Sequence, residues 1–218
     1  MNTFIDLFLH LDAHLKMVLE HYGVWTYVIL IVIVFLETGV VVTPFLPGDS
    51  LLFAAGALAA NTTQLHVGWL FILLAAAAIL GDTVNYHIGA YIGPRAFQGR
   101  IRFLKQAHLD RTRQFYERHG GKTIVLARFI PIIRTFAPFV AGIGCMAYHR
   151  FLFYNVFGAF LWTGLFVFGG YYFGQLPVVQ KHFTLVILAV IVLSLVPLAI
   201  EGVQQYRHAT PRQTTRNS

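Results

Sequence analysis

The chain has one cysteine, Cys145, in 218 residues. A single thiol cannot close an internal disulfide and cannot build a cysteine-cluster metal site; among small and apolar neighbours its expected role is packing. Charge is scarce as well. Asp, Glu, Lys and Arg make up 11% of the chain, against about 25% in an ordinary soluble domain. The ten histidines contain no HExxH spacing, so they are expected at membrane interfaces rather than on a metal. The N-terminus does not read as a signal peptide, because Asp6 and Asp12 interrupt it and no short apolar core with a small-residue cleavage site follows.

What is present is apolar. Hydrophobic residues are 57% of the chain and the mean hydropathy is +0.65, which points to an all-α polytopic membrane protein of one domain. The net charge of +7 is concentrated. Eight basic residues and two acids lie between Pro94 and Lys122, and Arg207, Arg212 and Arg216 follow near the C-terminus. Basic clusters beside apolar spans mark the cytoplasmic side, so loop 94–122 and the C-terminus are expected there. Because this charge only flanks the spans, it suits anionic lipid headgroups and not nucleic acid. Residues 1–22 carry Phe4, Phe8, Leu11, Leu15 and Val18 at helical spacing opposite Asp6, His10, His14 and Glu20. This pattern predicts an amphipathic helix at the membrane surface.

A membrane domain is expected over 23–206, followed by a basic flexible tail, 207–218. Five apolar regions fall at about 24–60, 67–93, 123–148, 151–174 and 184–203. A simple span needs about 20 residues, which fits the second, fourth and fifth, the last being a C-terminal transmembrane helix. The first and third are broken near their middles by Pro44, Pro47 and Gly48, and by Pro131, Pro138 and Gly142. Proline interrupts the helical ladder, and irregular backbone at membrane depth survives only where protein or water covers it. Both regions therefore read as re-entrant broken-helix hairpins, although the first could instead be two short spans. A weak repeat supports two inverted halves, each a hairpin plus a transmembrane helix. FAAGALA (53–59) resembles FVAGIGC (139–145), and GAYIG (89–93) resembles GYYFG (170–174). The Gly-xxx-Gly pairs suit close helix packing and would permit a homo-oligomer.

Charged residues inside these apolar stretches are the strongest functional signal. Glu37 and Asp49 flank the first break, Arg128 and Arg134 the second, and Asp82 lies within the second region. A charge at the bilayer centre costs from ~2.5 to ~17 kcal/mol, so such groups persist only when paired, hydrated or used. Six residues on an unbroken helix turn through about 600°, but Pro131 could let both arginines aim at one point. Arginine binds carboxylate or phosphate through two parallel hydrogen bonds. Two structural salt bridges with Glu37 and Asp49, or an anion site beside acids, both follow from this pattern. Asp49 could also cap a helix starting at Gly48. Three acids against two arginines leave one carboxylate over. An unpaired carboxylate in low dielectric tends to hold a proton, which makes Glu37, Asp49 or Asp82 a candidate proton carrier; alternatively Asp82 is a neutral acid bonded to a hydroxyl such as that of Thr83.

The runs FLETGVVVTPFLPGDSLLFAAGALA, GDTVNYHIG and FYERHGGKTIVLARFIPIIRTFAPFVAGIGCM resemble the bacterial DedA family of inner-membrane proteins over about residues 20–205, and among its branches the one that gave the family its name. The family shares extended similarity with eukaryotic lipid scramblases of the endoplasmic reticulum. The resemblance implies multi-pass location in a bacterial inner membrane and recycling of undecaprenyl phosphate, linked to the proton-motive force. It also implies that Glu37, Asp49, Arg128 and Arg134 are required. The expected partners are a lipid substrate and protons. No cofactor, metal or enzymatic activity is expected, the alternatives being a phospholipid scramblase or an enzyme acting on lipid phosphates, for which His149, 15 residues past Arg134, is the candidate histidine.

Overall fold

A computed structural model of the chain describes residues 17, 21–39, 48–95, 121–144, 146–181, 185–186 and 188–190. Nearly all of the N-terminal segment 1–22, Pro44 and Pro47, loop residues 96–120, Cys145, most of the fifth apolar region and the tail 207–218 lie outside the described residues.

The described residues form seven helices and no strand: α1 (Trp25–Gly39), α2 (Gly48–Asn61), α3 (Val67–Arg95), α4 (Lys122–Ala127), α5 (Pro131–Ile143), α6 (Tyr148–Phe173) and α7 (Pro177–Lys181). An apolar environment leaves backbone groups no partner but their own helix, and these apolar runs respond accordingly. The chain enters α1 through Gly23, whose φ of +52 is open mainly to glycine. Helices α3 and α6 are long and apolar enough to cross a membrane, over Val67–Gly93 and Tyr148–Phe173. Large apolar side chains are exposed along both, including Trp69, Leu80 and Tyr91 on α3 and Phe153, Phe157, Leu165 and Tyr172 on α6. Such surfaces suit lipid rather than water.

The third region is broken where the local chemistry requires it. Pro131 excludes helical geometry from the residue before it, and Ile130 is extended at φ −116, ψ 108. Arg128 closes α4, and Phe129 and Ile130 donate their backbone N–H groups to the Leu126 and Ala127 carbonyls. Pro131 then opens α5, a position where its missing N–H costs nothing. Pro138, expected as a second break, lies inside a continuous α5. It removes only the ladder bond that would end on the Arg134 carbonyl, and the remaining bonds carry the helix through.

The long helices run antiparallel: Phe71 meets Phe160 and Phe168, Asn155 meets the Ile79 carbonyl, and Tyr86 stacks on Phe151. Helix α2 packs on α6 and α5 on α3 through glycines that admit no side chain. A Cβ on Gly56 would strike the Val167 carbonyl, and one on Gly170 the Phe53 carbonyl. A Cβ on Gly142 would strike the Tyr86 carbonyl, and one on Gly89 the Phe139 carbonyl. The Gly-xxx-Gly faces expected for helix packing are therefore occupied by the chain's own α2 and α5. The larger core contains Leu30, Val34, Leu52, Leu70, Leu74 and Trp162; a smaller one gathers Tyr86, Ile124, Ala137, Ala141 and Phe151.

Candidate functional site

The breaks bring charge into this apolar interior. Glu37 lies in the last turn of α1, Asp49 in the first turn of α2, Arg134 in the first turn of α5, Asp82 in the middle of α3, and Arg128 at the end of α4. All five are at most 8% exposed.

They form two separate ion-paired groups. In the first, Arg134 donates from Nη2 to Glu37 Oε1 and from Nη1 to Asp49 Oδ1, the latter at 2.8 Å. The Gly48 backbone N–H donates to Glu37 Oε1 at 3.1 Å. The Trp162 indole N–H, from α6, donates to Asp49 Oδ1 at 2.9 Å. In the second group, Arg128 Nη2 donates to Asp82 Oδ2 and to Asn155 Oδ1, and Asn155 Nδ2 donates in turn to the Ile79 carbonyl at 3.1 Å. Trp162 lies between the groups, its ring centroid 4.8 Å from the Arg134 guanidinium and 5.9 Å from that of Arg128.

This corrects the pairing expected from sequence. Glu37 and Asp49 do not take one arginine each; Arg134 holds both. Asp82 is not left to the Thr83 hydroxyl but pairs with Arg128. The surplus carboxylate is therefore shared with Arg134 rather than left without a partner. The physical reason is the turn at 128–130, which sends the two guanidinium groups to different acids. Gly48, expected as a hinge, is the first residue of α2 and lies against Glu37. A Cβ there would overlap the Glu37 carboxylate, so glycine is what lets that carboxylate reach the backbone N–H. His149 is exposed at the start of α6.

Three site residues escaped the sequence reading: Trp162, Asn155 and Asn85. Asn85, fully buried in α3, donates from Nδ2 to the Thr135 carbonyl at 2.7 Å and to the Thr38 carbonyl at 3.4 Å. Those carbonyls belong to the residues next to Arg134 and Glu37, so Asn85 holds together the backbones carrying the first pair. Two buried amides in apolar helices were open to the same cost argument that singled out Asp82; a tryptophan among apolar residues gave no such signal. The network is not saturated. Glu37 Oε2, Asp82 Oδ1, Arg128 Nη1 and Arg134 Nε are buried with no hydrogen-bond partner among the described residues. Such orphans are rare in folded proteins and call for a reason.

Residues 46–172 match the VTT domain family. The chain is 54% identical to protein DedA of Escherichia coli over 207 residues, 94% of each chain. It is 40% identical to an uncharacterized membrane protein of Mycobacterium tuberculosis over 180 residues, covering 82% of this chain and 79% of that one. It is 35% identical to the inner membrane protein YqjA of Escherichia coli over 157 residues, 72% and 71% of the two chains. No solved structure matches. With a family model matched over residues 46–172 and a relative 54% identical across 94% of the chain, the chain is a membrane protein of the bacterial DedA family, close to the DedA branch.

Proposed function

We propose that this protein is a lipid-phosphate translocase of the bacterial inner membrane. It moves a polyprenyl phosphate, undecaprenyl phosphate, across the bilayer for reuse in envelope synthesis, and proton movement is coupled to that transport. In this reading it is a transporter, not an enzyme, and uses no cofactor. The observation that carries it is the pair of buried arginine groups, each balanced by acid and each keeping an N–H with no partner among the described residues. The lipid phosphate displaces Glu37 and Asp49 from Arg134 and draws Arg128 from Asp82, while the prenyl chain stays in lipid. Freed carboxylates in low dielectric bind protons, and their release on the other side links the cycle to the proton gradient.

The proposed architecture is two inverted halves whose hairpins, α1–α2 and α4–α5, enter from opposite faces and meet near the midplane, as in many transporters. Two observations support it. The start of α1 meets the start of α3, with the His66 backbone N–H donating to the Tyr27 hydroxyl at 2.6 Å, and the end of α2 meets the end of α6 through Asn61 and Gly174. The close contacts Gly56–Val167 and Gly170–Phe53 also reappear as Gly142–Tyr86 and Gly89–Phe139, at the offsets of the sequence repeat. Loop 94–122 and the C-terminus are cytoplasmic in this arrangement.

The test is reconstitution in proteoliposomes with undecaprenyl phosphate and an ordinary phospholipid, with and without a pH gradient. Selective, gradient-dependent flipping is expected, abolished in Arg134→Ala and strongly reduced in Arg134→Lys, which keeps the charge but loses the two-pronged donor. Equal movement of both lipids without gradient dependence would identify a scramblase instead.

A further inference from the structure

Trp162 is the largest fully buried side chain among the described residues, and its position is not explained by packing alone. An indole N–H is only a donor, and this one is spent on a carboxylate oxygen that Arg134 already holds. Two donors from different helices, α6 and α5, thus converge on one anionic oxygen, Asp49 Oδ1. A phosphate oxygen arriving in place of that carboxylate oxygen meets both donors without rearrangement of either. The indole face supplies the second half of the arrangement. Both guanidinium groups lie over it, and a cation over a tryptophan face is held most strongly where water is excluded. When the acids leave, this contact keeps two like charges in position.

We infer that Trp162 is a substrate-binding residue: its N–H donates to the phosphate headgroup in the place now taken by Asp49, and its ring holds Arg134 and Arg128 in the geometry that receives it. This rests on the lipid-phosphate reading above.

The full chain carries three tryptophans, and Trp25 and Trp69 are largely exposed, so Trp25→Phe/Trp69→Phe leaves Trp162 as the sole indole. The probe is farnesyl phosphate, with farnesol as the uncharged control, titrated into detergent-solubilised protein by calorimetry. In this background, Trp162→Phe keeps a ring and removes the N–H. Binding is expected to weaken about 10- to 100-fold, the size of a hydrogen bond to a charged group, while the empty protein, which also loses its bond to Asp49, melts at a lower temperature but stays folded. The single indole N–H resonance of ¹⁵N-indole-labelled protein, with Trp162 intact, should shift with farnesyl phosphate and not with farnesol. That measurement decides the matter if Trp162→Phe does not fold. Arginine-dependent binding with an unmoved indole resonance, or with an affinity within twofold in Trp162→Phe, overturns the role of Trp162 alone. Absence of farnesyl phosphate binding, or equal binding in Arg134→Ala, overturns the lipid-phosphate reading beneath it.

Discussion

At the scale of single residues, the site depends on what is absent as much as on what is charged. Gly48 leaves the space that the Glu37 carboxylate fills. In Gly48→Ala, the flexible carboxylate must swing away, losing its backbone donor and its alignment with Arg134. One charge-assisted hydrogen bond is worth about 1.5–3 kcal/mol, so transport is expected to fall roughly tenfold or more, read as initial flipping rate in proteoliposomes. Full activity in Gly48→Ala would show that the Glu37–Gly48 bond is dispensable. The Asp82–Arg128 pair makes a different test. Removing one partner of a buried pair leaves an uncompensated charge and costs about 3–5 kcal/mol, whereas replacing both with apolar groups is often neutral. Arg128→Met should therefore unfold at lower temperature or denaturant, and Asp82→Leu/Arg128→Met should regain most of that loss without regaining transport. If the double variant transports normally, the second group is only structural.

At the scale of helices, stability and function make opposite demands on α5 and α6. Gly142→Leu would drive α5 away from the Tyr86 carbonyl of α3, and loss of monodisperse protein in detergent is expected. Gly169, in the same helix as Gly170, is the opposite case: a Cβ there would meet nothing within 4 Å. Gly169→Ala should therefore be neutral or stabilising by up to about 1 kcal/mol, the helix preference for alanine over glycine. Pro138 combines both demands. Pro138→Ala restores the bond to the Arg134 carbonyl, and an interior proline costs about 3 kcal/mol, so a higher melting temperature is expected. A slower flipping rate alongside it would mean that the loosened first turn carrying Arg134 is used in transport.

At the scale of the whole molecule, the proposed inverted hairpins make a prediction about sidedness. With Cys145 replaced by alanine, single cysteines at Val24 and Thr63 should react with a membrane-impermeant maleimide from one face. Cysteines at Lys122 and Arg150 should react from the other. Labelling of Thr63 and Lys122 from the same face would sink the inverted arrangement. The geometry also explains why five charges persist in an apolar interior. Ends of α1, α2, α4 and α5 meet at the site, so four of the charges need not lie along the lipid-facing surfaces of α3 and α6, where they would have no partner.

The sequence by itself determined the class of the protein, the limits of both long helices to within a few residues, and the identity of all five buried charges. These follow from composition, from the length of apolar runs and from the cost of a charge in hydrocarbon, all of which act locally. It also located the break at Pro131, because proline constrains its own neighbour. The continuity of α5 through Pro138 was not legible, since one lost ladder bond breaks a helix only when packing does not hold it. Only the tertiary structure decided which acid serves which arginine, that Gly48 leaves room for the Glu37 carboxylate, and that Asn85, Asn155 and Trp162 complete the network. Pairing partners lie 46 to 97 residues apart, and which of them meet depends on how α2 packs on α6 and α5 on α3, a matter of shape across helices that no local pattern records.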